Sequence, residues 1–386
     1  MVIRDLMAAL DRIAPLRYAE AWDKVGLLLG TESDSLRGPV LLTIDLTEQV
    51  LDEAIALGAS AVVAYHPPIF TPLERLTDRS AAERVILRAA RAGIALFSPH
   101  TALDAVPGGV CDWLCEGLST PTPANIQAEG KVHGDCRALV PHAQHSHPPT
   151  QEVKITTFVP AEHLDTVRNA LATAGAGLIG KYRVCSFSSP GTGTFLGDAG
   201  TNPAVGEAGT LESVAEHRLE MVCSHAALPL ALQTLRRFHP YEEPAIDVVP
   251  LVAQPVRSVG AGRRLSLDRP ATVAELAARL RAFLSSPVRF ADAANGSPVK
   301  VIGVCAGSGG ELVGRLRPEG CEVFVTGELS HHKTLALVNS GISVILGEHT
   351  GTERGYLPRL AARLGQLLHE ARIVVSKADR DPLSLA

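Results

Sequence analysis

A chain of 386 residues exceeds the usual span of one domain, and 46% hydrophobic with 20% charged residues supplies core for two or three. A formal charge of −5 and only 4% aromatic residues argue against a polyanion-binding surface or a base-stacking platform for nucleic acid. No apolar run approaches the ~20 residues of a membrane span. The start lacks a secretory pattern, and the seven scattered cysteines read as reduced thiols of a cytoplasmic protein.

The first expected element is an amphipathic helix over 3–13. A strand over 40–44, a helix over 48–57, a strand over 61–64, a helix over 81–92 and a short strand over 94–97 follow. That alternation predicts a largely parallel sheet with helices on its faces, forming an N-terminal α/β lobe over 1–125. The rhythm fades after Pro121, and residues 126–152, which include Pro141-His-Ala-Gln-His-Ser-His-Pro-Pro149, read as a solvated linker. A middle unit over 153–253 follows: strand 154–159, helix 161–174, a glycine-rich run, strand 218–223, helix 228–238 and strand 245–249. This order suggests a small ferredoxin-like α+β sandwich. Over 254–386 the α/β pattern resumes as a C-terminal lobe. Its expected elements are helix 273–283, strand 299–304, Gly307-Ser-Gly-Gly310, strand 322–325, a helix from about 330, strand 343–346 and a long helix through 368. The two ends of the chain thus share one architecture, interrupted in the middle.

Chelating side chains gather at the expected strand ends. His66 follows the strand 61–64, and Pro67-Pro68 stop that strand and hold an outward imidazole in place; read alone, it is equally a turn histidine. Asp104 follows the strand 94–97 as a ligand or a helix cap, with His100 as a ligand or a group orienting substrate or water. His349 and Glu353, four apart on an apparent helix, share a face and can chelate one ion; capping accounts for Glu353 but leaves His349 unexplained. Together the four point to a divalent-metal site, one ion held completely or two incompletely, and to hydrolysis by a metal-activated water. Zinc suits the mixed donors, with iron, manganese and nickel left open. Thr326-Gly-Glu328-Leu-Ser-His331-His332 opens a helix after a strand. There Glu328 reads as a general acid or base and His331 as a phosphate or base contact, or both belong to a plain capped helix start. Gly307-Ser-Gly-Gly310 lacks the Lys-Ser/Thr of a P-loop and reads as a tight turn. The segment Trp22-Asp-Lys-Val-Gly-Leu-Leu-Leu-Gly30 either lines a cleft or packs the N-terminal lobe.

Trp22-Asp-Lys-Val-Gly-Leu27, Tyr65-His-Pro-Pro-Ile-Phe70, His100-Thr-Ala-Leu-Asp-Ala105, Thr326-Gly-Glu328 and Gly347-Glu-His-Thr-Gly-Thr-Glu353 occur in the order of one family. Through them essentially the whole chain resembles the Nif-three-like dinuclear-metal proteins, often labelled GTP cyclohydrolase I type 2 homologues. The resemblance implies a two-lobed, three-layer α/β fold with parallel-rich sheets, a pair of divalent ions, and a toroidal homohexamer with sites facing an internal cavity. It maps the ligands onto His66, Asp104, His349 and Glu353. The activity it implies is attack of a metal-activated hydroxide on a purine nucleotide, opening the guanine imidazole ring of GTP with release of formate, while Glu328 or His100 shuttles protons. The alternative is a non-catalytic metal-binding or regulatory hexameric scaffold. Tyr65 stands where many bacterial members carry a histidine, and a phenol of reference pKa about 10 is a poorer ligand near neutral pH. A second ion is therefore expected to be weaker, differently ligated or absent. The middle unit resembles the CutA/PII-like insert of longer members through Gly175-Ala-Gly-Leu-Ile-Gly180, Cys185-Ser-Phe187, Gly191-Thr-Gly-Thr-Phe195 and His239-Pro-Tyr-Glu-Glu-Pro244. His239, Tyr241 and Glu242 there either bind a ligand or lock a strand edge.

Overall fold

The computed structural model describes residues 1–120, 130–142, 150–252 and 257–384; His145 and His147 of the expected linker lie outside the described residues. In chain order the strands are β1 (Gly26–Leu29), β2 (Val40–Thr43), β3 (Ala61–Ala64), β4 (Ala95–Ser98), β5 (Gly134–Pro141), β6 (Val153–Pro160), β7 (Phe187–Leu196) and β8 (Leu211–Cys223). They continue with β9 (Ile246–Pro250), β10 (Gly260–Ala271), β11 (Arg289–Ala291), β12 (Val299–Val304), β13 (Val323–Thr326), β14 (Ser343–Leu346) and β15 (Ile373–Val375). The chain divides into two compact units, one made of 1–143 with 256–386 and the other of 144–255.

The first unit holds two sheets. The five-stranded sheet runs β1-β4-β3-β2-β15, parallel throughout except for the β1–β4 pair. Alternation along its strands sorts the core: Val40, Leu42, Ala61, Val63 and Phe97 face one hydrophobic cluster, while Leu41, Val62 and Leu96 face another beneath the helices Glu48–Ala56 and Ala81–Arg91. The six-stranded sheet runs β11-β14-β13-β12-β10-β5 and is mixed, with β12, β13 and β14 parallel and the outer pairs antiparallel. Its Ile302, Val304, Val323, Val325 and Ile345 enter the same cluster as the first sheet, joined by the helices Ile3–Ile13, Val110–Ser119, Val273–Leu284 and Leu357–Leu367. Phe324, Val344 and Leu346 turn the other way, onto the helix His331–Asn339. Each sheet is thus covered on both faces by helices, and a shared helical layer joins them. Side-chain caps fix several helix starts: Thr47 accepts from the Val50 amide, Ser80 from that of Glu83, and Thr272 and Glu275 form a capping box.

Residues 134–141, expected within the linker, are instead the edge strand β5, paired along its length with β10 from Gly134↔Leu267 to Pro141↔Gly260. Neither segment alternates strongly, and each is a strand because the other pairs with it across more than a hundred residues. The expected long C-terminal helix is two: Gly351–Arg354 and Leu357–Leu367, the second started by Pro358 in its first turn.

The second unit is a four-stranded antiparallel sheet, ordered β7-β8-β6-β9, with the helices Leu164–Thr173 and Leu228–Phe238 packed on one face. This is the ferredoxin-like order. The glycine-rich run supplies β7, paired with β8 over ten residues, and residues 161–163 form a separate tight turn before the first helix. His239 is a strand-edge lock: buried, its Nε2 faces the Phe158 carbonyl at 2.9 Å and its Nδ1 accepts from the Tyr241 amide. Burial lowers its pKa below the usual histidine value.

Candidate metal centre

Parallel strands end together, and the loops leaving β2, β3, β4, β13 and β14 carry the polar side chains of the site apart from Asp23, which precedes β1, while the loop after β12 brings Gly307, as open α/β sheets place their ligands. Tyr65 and His66 extend β3, their amides bonding to Thr43 and Ile44 of the neighbouring segment. Asp45 leaves β2, and its Oδ1 meets His66 Nδ1 at 2.9 Å. After β14 the chain passes through Glu348, a non-glycine residue at φ 62°, into His349 and the short helix bearing Glu353. Glu328, leaving β13, places Oε1 3.1 Å from His349 Nδ1.

Both imidazoles are therefore backed through Nδ1 by a carboxylate, and both turn Nε2 toward one acid. His349 Nε2 lies 3.3 Å from Glu353 Oε1, and His66 Nε2 lies 3.5 Å from Glu353 Oε2. Ligand atoms of His66, His349 and Glu353 fall within 4.8 Å of one another. Glu353 is 3% exposed, and its Oε2 has no well-aligned hydrogen bond. A buried carboxylate oxygen left without such a partner, between two oriented imidazoles, fits a bound cation better than it fits a packed core. The N₂O donor set is one that zinc and other divalent transition ions accept.

Charge follows the geometry. Burial works against the His66 imidazolium, but its bonds to Asp45 and Glu353 outweigh that and raise its pKa to about 10. The bond to Glu353 is the largest influence on His349 and, with Glu328, raises it to about 9. Burial would push Glu353 up, yet His349 and His66 together hold it below the usual glutamate value.

Asp104 lies outside this three-residue group. Its Oδ1 accepts the Tyr65 hydroxyl at 2.6 Å, and burial raises its pKa to about 7. Tyr65 is 3% exposed, and its phenol is pushed well above its ordinary value by burial and by Asp104. His100, at φ 27°, opens the short helix that carries Asp104; its Nδ1 sits 2.7 Å from Asp23 Oδ1, and its ring is 5.4 Å from that of His66. Two non-glycine residues with left-handed backbone, His100 and Glu348, thus flank the centre, where such strain concentrates. His331 and His332 contact each other on the exposed side of their helix start.

Three contributors escaped the sequence reading. Asp45 and Asp23 orient histidines from other strands, which no local spacing announces. Gly307, expected as an ordinary turn, has φ 56°, and a Cβ there would stand 2.3 Å from Glu353 Oε1 and 3.1 Å from His349 Nε2. Its amide donates to Thr352 Oγ1 and its carbonyl accepts from the Thr326 hydroxyl and the Glu328 amide. Gly307→Ala is expected to lower metal affinity roughly 10–100-fold, as disturbing the groups around metal ligands does. Metal titration of the refolding-competent variant checks this, and wild-type affinity would show that the cradle does not matter.

An α/β protein whose parallel strands converge on a carboxylate-backed His₂Glu cluster, with a ferredoxin-like domain set into its sequence, is the class that fold and site define. The chain belongs to the DUF34/NIF3 (NGG1p interacting factor 3) family, whose model matches residues 1–382. It is 32% identical over 377 residues to a "GTP cyclohydrolase 1 type 2 homolog" of Halalkalibacterium halodurans, covering 97% of this chain and 96% of that protein. It is also 32% identical to human "NIF3-like protein 1" over 391 residues, covering 100% of this chain and 93% of that one. Among solved structures, a Bacillus cereus protein related to NIF3 superposes with a TM-score of 0.65 at 28% identity, covering 100% of this chain and 99% of its own. Among the described residues no helix is long and apolar enough to cross a membrane.

Proposed function

We propose that this protein is a divalent-metal-dependent hydrolase acting on a purine nucleotide. The observation that carries the reading is the pair of imidazoles, each backed by a carboxylate and each turning Nε2 to the buried Glu353. His66, His349 and Glu353 would hold the ion, which would supply Lewis acidity to activate a water for hydrolysis. Asp45 and Glu328 fix the two ligand rings, so Glu328 acts first as a positioning group for His349. His100, with Nδ1 occupied by Asp23 and its ring beside His66, is the proton carrier of the site. Asp104 and Tyr65 complete a second position only if their mutual hydrogen bond opens, which favours one firmly held ion over two. The purine comes from the relatives named GTP cyclohydrolase 1 type 2 homolog, and a homohexamer is the assembly proposed.

Metal analysis of the purified protein paired with GTP turnover tests this. Metal-loaded protein is expected to release formate from GTP, chelated protein not, and His100→Ala to lose at least tenfold in kcat. A protein that holds metal, turns over no member of a nucleotide panel and is indifferent to Glu328→Gln would be the regulatory scaffold instead. Light scattering is expected to report six copies.

A further inference from the structure

The chain has two tryptophans, placed oppositely. Trp113 is fully buried in the core, whereas Trp22 is 47% exposed and packs against Phe70, itself 50% exposed. Two large rings left half in water forgo part of the stabilisation that burying them would bring. Their place relative to the metal centre gives that exposure a use. The Trp22 and Phe70 centroids are 6.1 Å apart, and Trp22 lies 6.0 Å from His100, which lies 5.4 Å from the ligand His66. One ring therefore separates the indole from a metal ligand.

The indole is also held in place. Asp23, the next residue, has a fully buried side chain that binds His100 Nδ1, the Thr101 amide at 3.1 Å and the Thr101 hydroxyl. The Glu20 amide adds a bond to Thr101 Oγ1 at 3.0 Å. The segment carrying Trp22 is thus pinned to the turn carrying His100. Both aromatic neighbours meet the indole edge to face, at 61° and 75°, and among the described residues no ring lies parallel on it. A rigid indole, half exposed and without a parallel partner, offers a surface for stacking at little entropic cost.

We propose that Trp22, braced by Phe70, is the stacking platform that holds a planar heteroaromatic ring at the metal centre. The proposal deepens the hydrolase reading and rests on it for the ring's chemical class, a nucleotide base. Stacking on an aromatic side chain tolerates many bases, so Trp22 sets ring class, and the polar cluster sets where the ring is attacked.

The test uses metal-free, full-length protein, in which binding is read without turnover. Buried Trp113 supplies constant emission, so quenching reports Trp22. GTP is expected to quench a large, saturable part of the emission, and inorganic triphosphate not. Trp22→Leu and Phe70→Leu are expected to weaken GTP binding roughly tenfold by calorimetry, with the metal content of the variants as purified unchanged, and Trp22→Phe to restore most of it. Wild-type affinity in Trp22→Leu, quenching by triphosphate alone, or no saturable quenching by GTP would each overturn the platform. So would Trp22 emission that responds to protein concentration but not to nucleotide, which would mark a contact between copies of the chain. Saturable base-dependent quenching here, with no turnover by the metal-loaded protein, would retire the hydrolase and leave the platform standing.

Discussion

His349→Ala and Glu353→Gln are each expected to reduce bound metal by at least about a hundredfold in affinity, beyond the loss that follows from disturbing an outer partner. Glu353 is the hub, since both Nε2 atoms address its two oxygens. Glutamine keeps its volume but gives up one acceptor oxygen and the charge. His349 approaches Glu353 more closely than His66 does, and it also connects the cluster to Glu328. Neither change removes a large apolar group, so melting of the metal-free variants is expected to stay cooperative. Elemental analysis after gentle purification, with circular dichroism as the fold control, checks both. Full metal content in both variants would remove the centre.

The same electrostatics set the pH dependence. With folded pKa values of about 10 for His66 and about 9 for His349, both imidazoles carry two ring protons at neutral pH in the metal-free protein. An ion that takes both Nε2 atoms must displace two protons, so affinity rises with pH and levels off near 9 to 10. Calorimetric titration in buffers of different ionisation enthalpy is expected to count close to two protons released per ion at pH 7.

His349 and Glu353 were legible because their spacing is local: four residues apart, they share a face even though His349 precedes the short helix rather than opening it. His66 was legible because an apolar run ends in two prolines at a strand end. Asp45 was not, since its role depends on β2 lying beside β3, a pairing that no stretch of sequence states. The same physics separates the elements found from those missed. Strands β2, β3, β4, β13 and β14 are runs buried on both faces, as is β12 beyond its exposed Lys300, and they carry their own signal. Strands β5, β7 and β10 are glycine- or arginine-bearing and become strands through distant partners. Gly307 shows the limit most plainly: its missing side chain matters because of Glu353, forty-six positions later.

A second large effect is expected far from the metal, at the buried pair that ties the two ends of the chain together. Arg359, on the helix Leu357–Leu367, is 1% exposed, and its Nη1 donates to Glu116 Oε1 at 2.7 Å; Glu116, on Val110–Ser119, is 5% exposed. The Gly130 amide donates to the other carboxylate oxygen. Around them Trp113, Phe283 and Tyr356 close the shared core, and the Tyr356 hydroxyl donates to the Gly108 carbonyl. Glu116→Gln keeps the shape and an acceptor oxygen but takes the carboxylate charge away from the buried guanidinium. Removing one partner of a buried pair costs about 3–5 kcal/mol, whereas replacing both with apolar groups of similar volume is often neutral. Glu116→Gln is therefore expected to lower Tm by roughly 10 °C, at the 2–4 °C per kcal/mol of a unit this size. The double variant Glu116→Leu, Arg359→Met is expected to recover most of that loss. Metal affinity should change little in either, because neither residue contacts the cluster. A single variant that melts like wild type would mean the pair is compensated elsewhere. A double variant no better than the single would assign the loss to packing rather than to the weakened ion pair, and would make this joint a matter of shape.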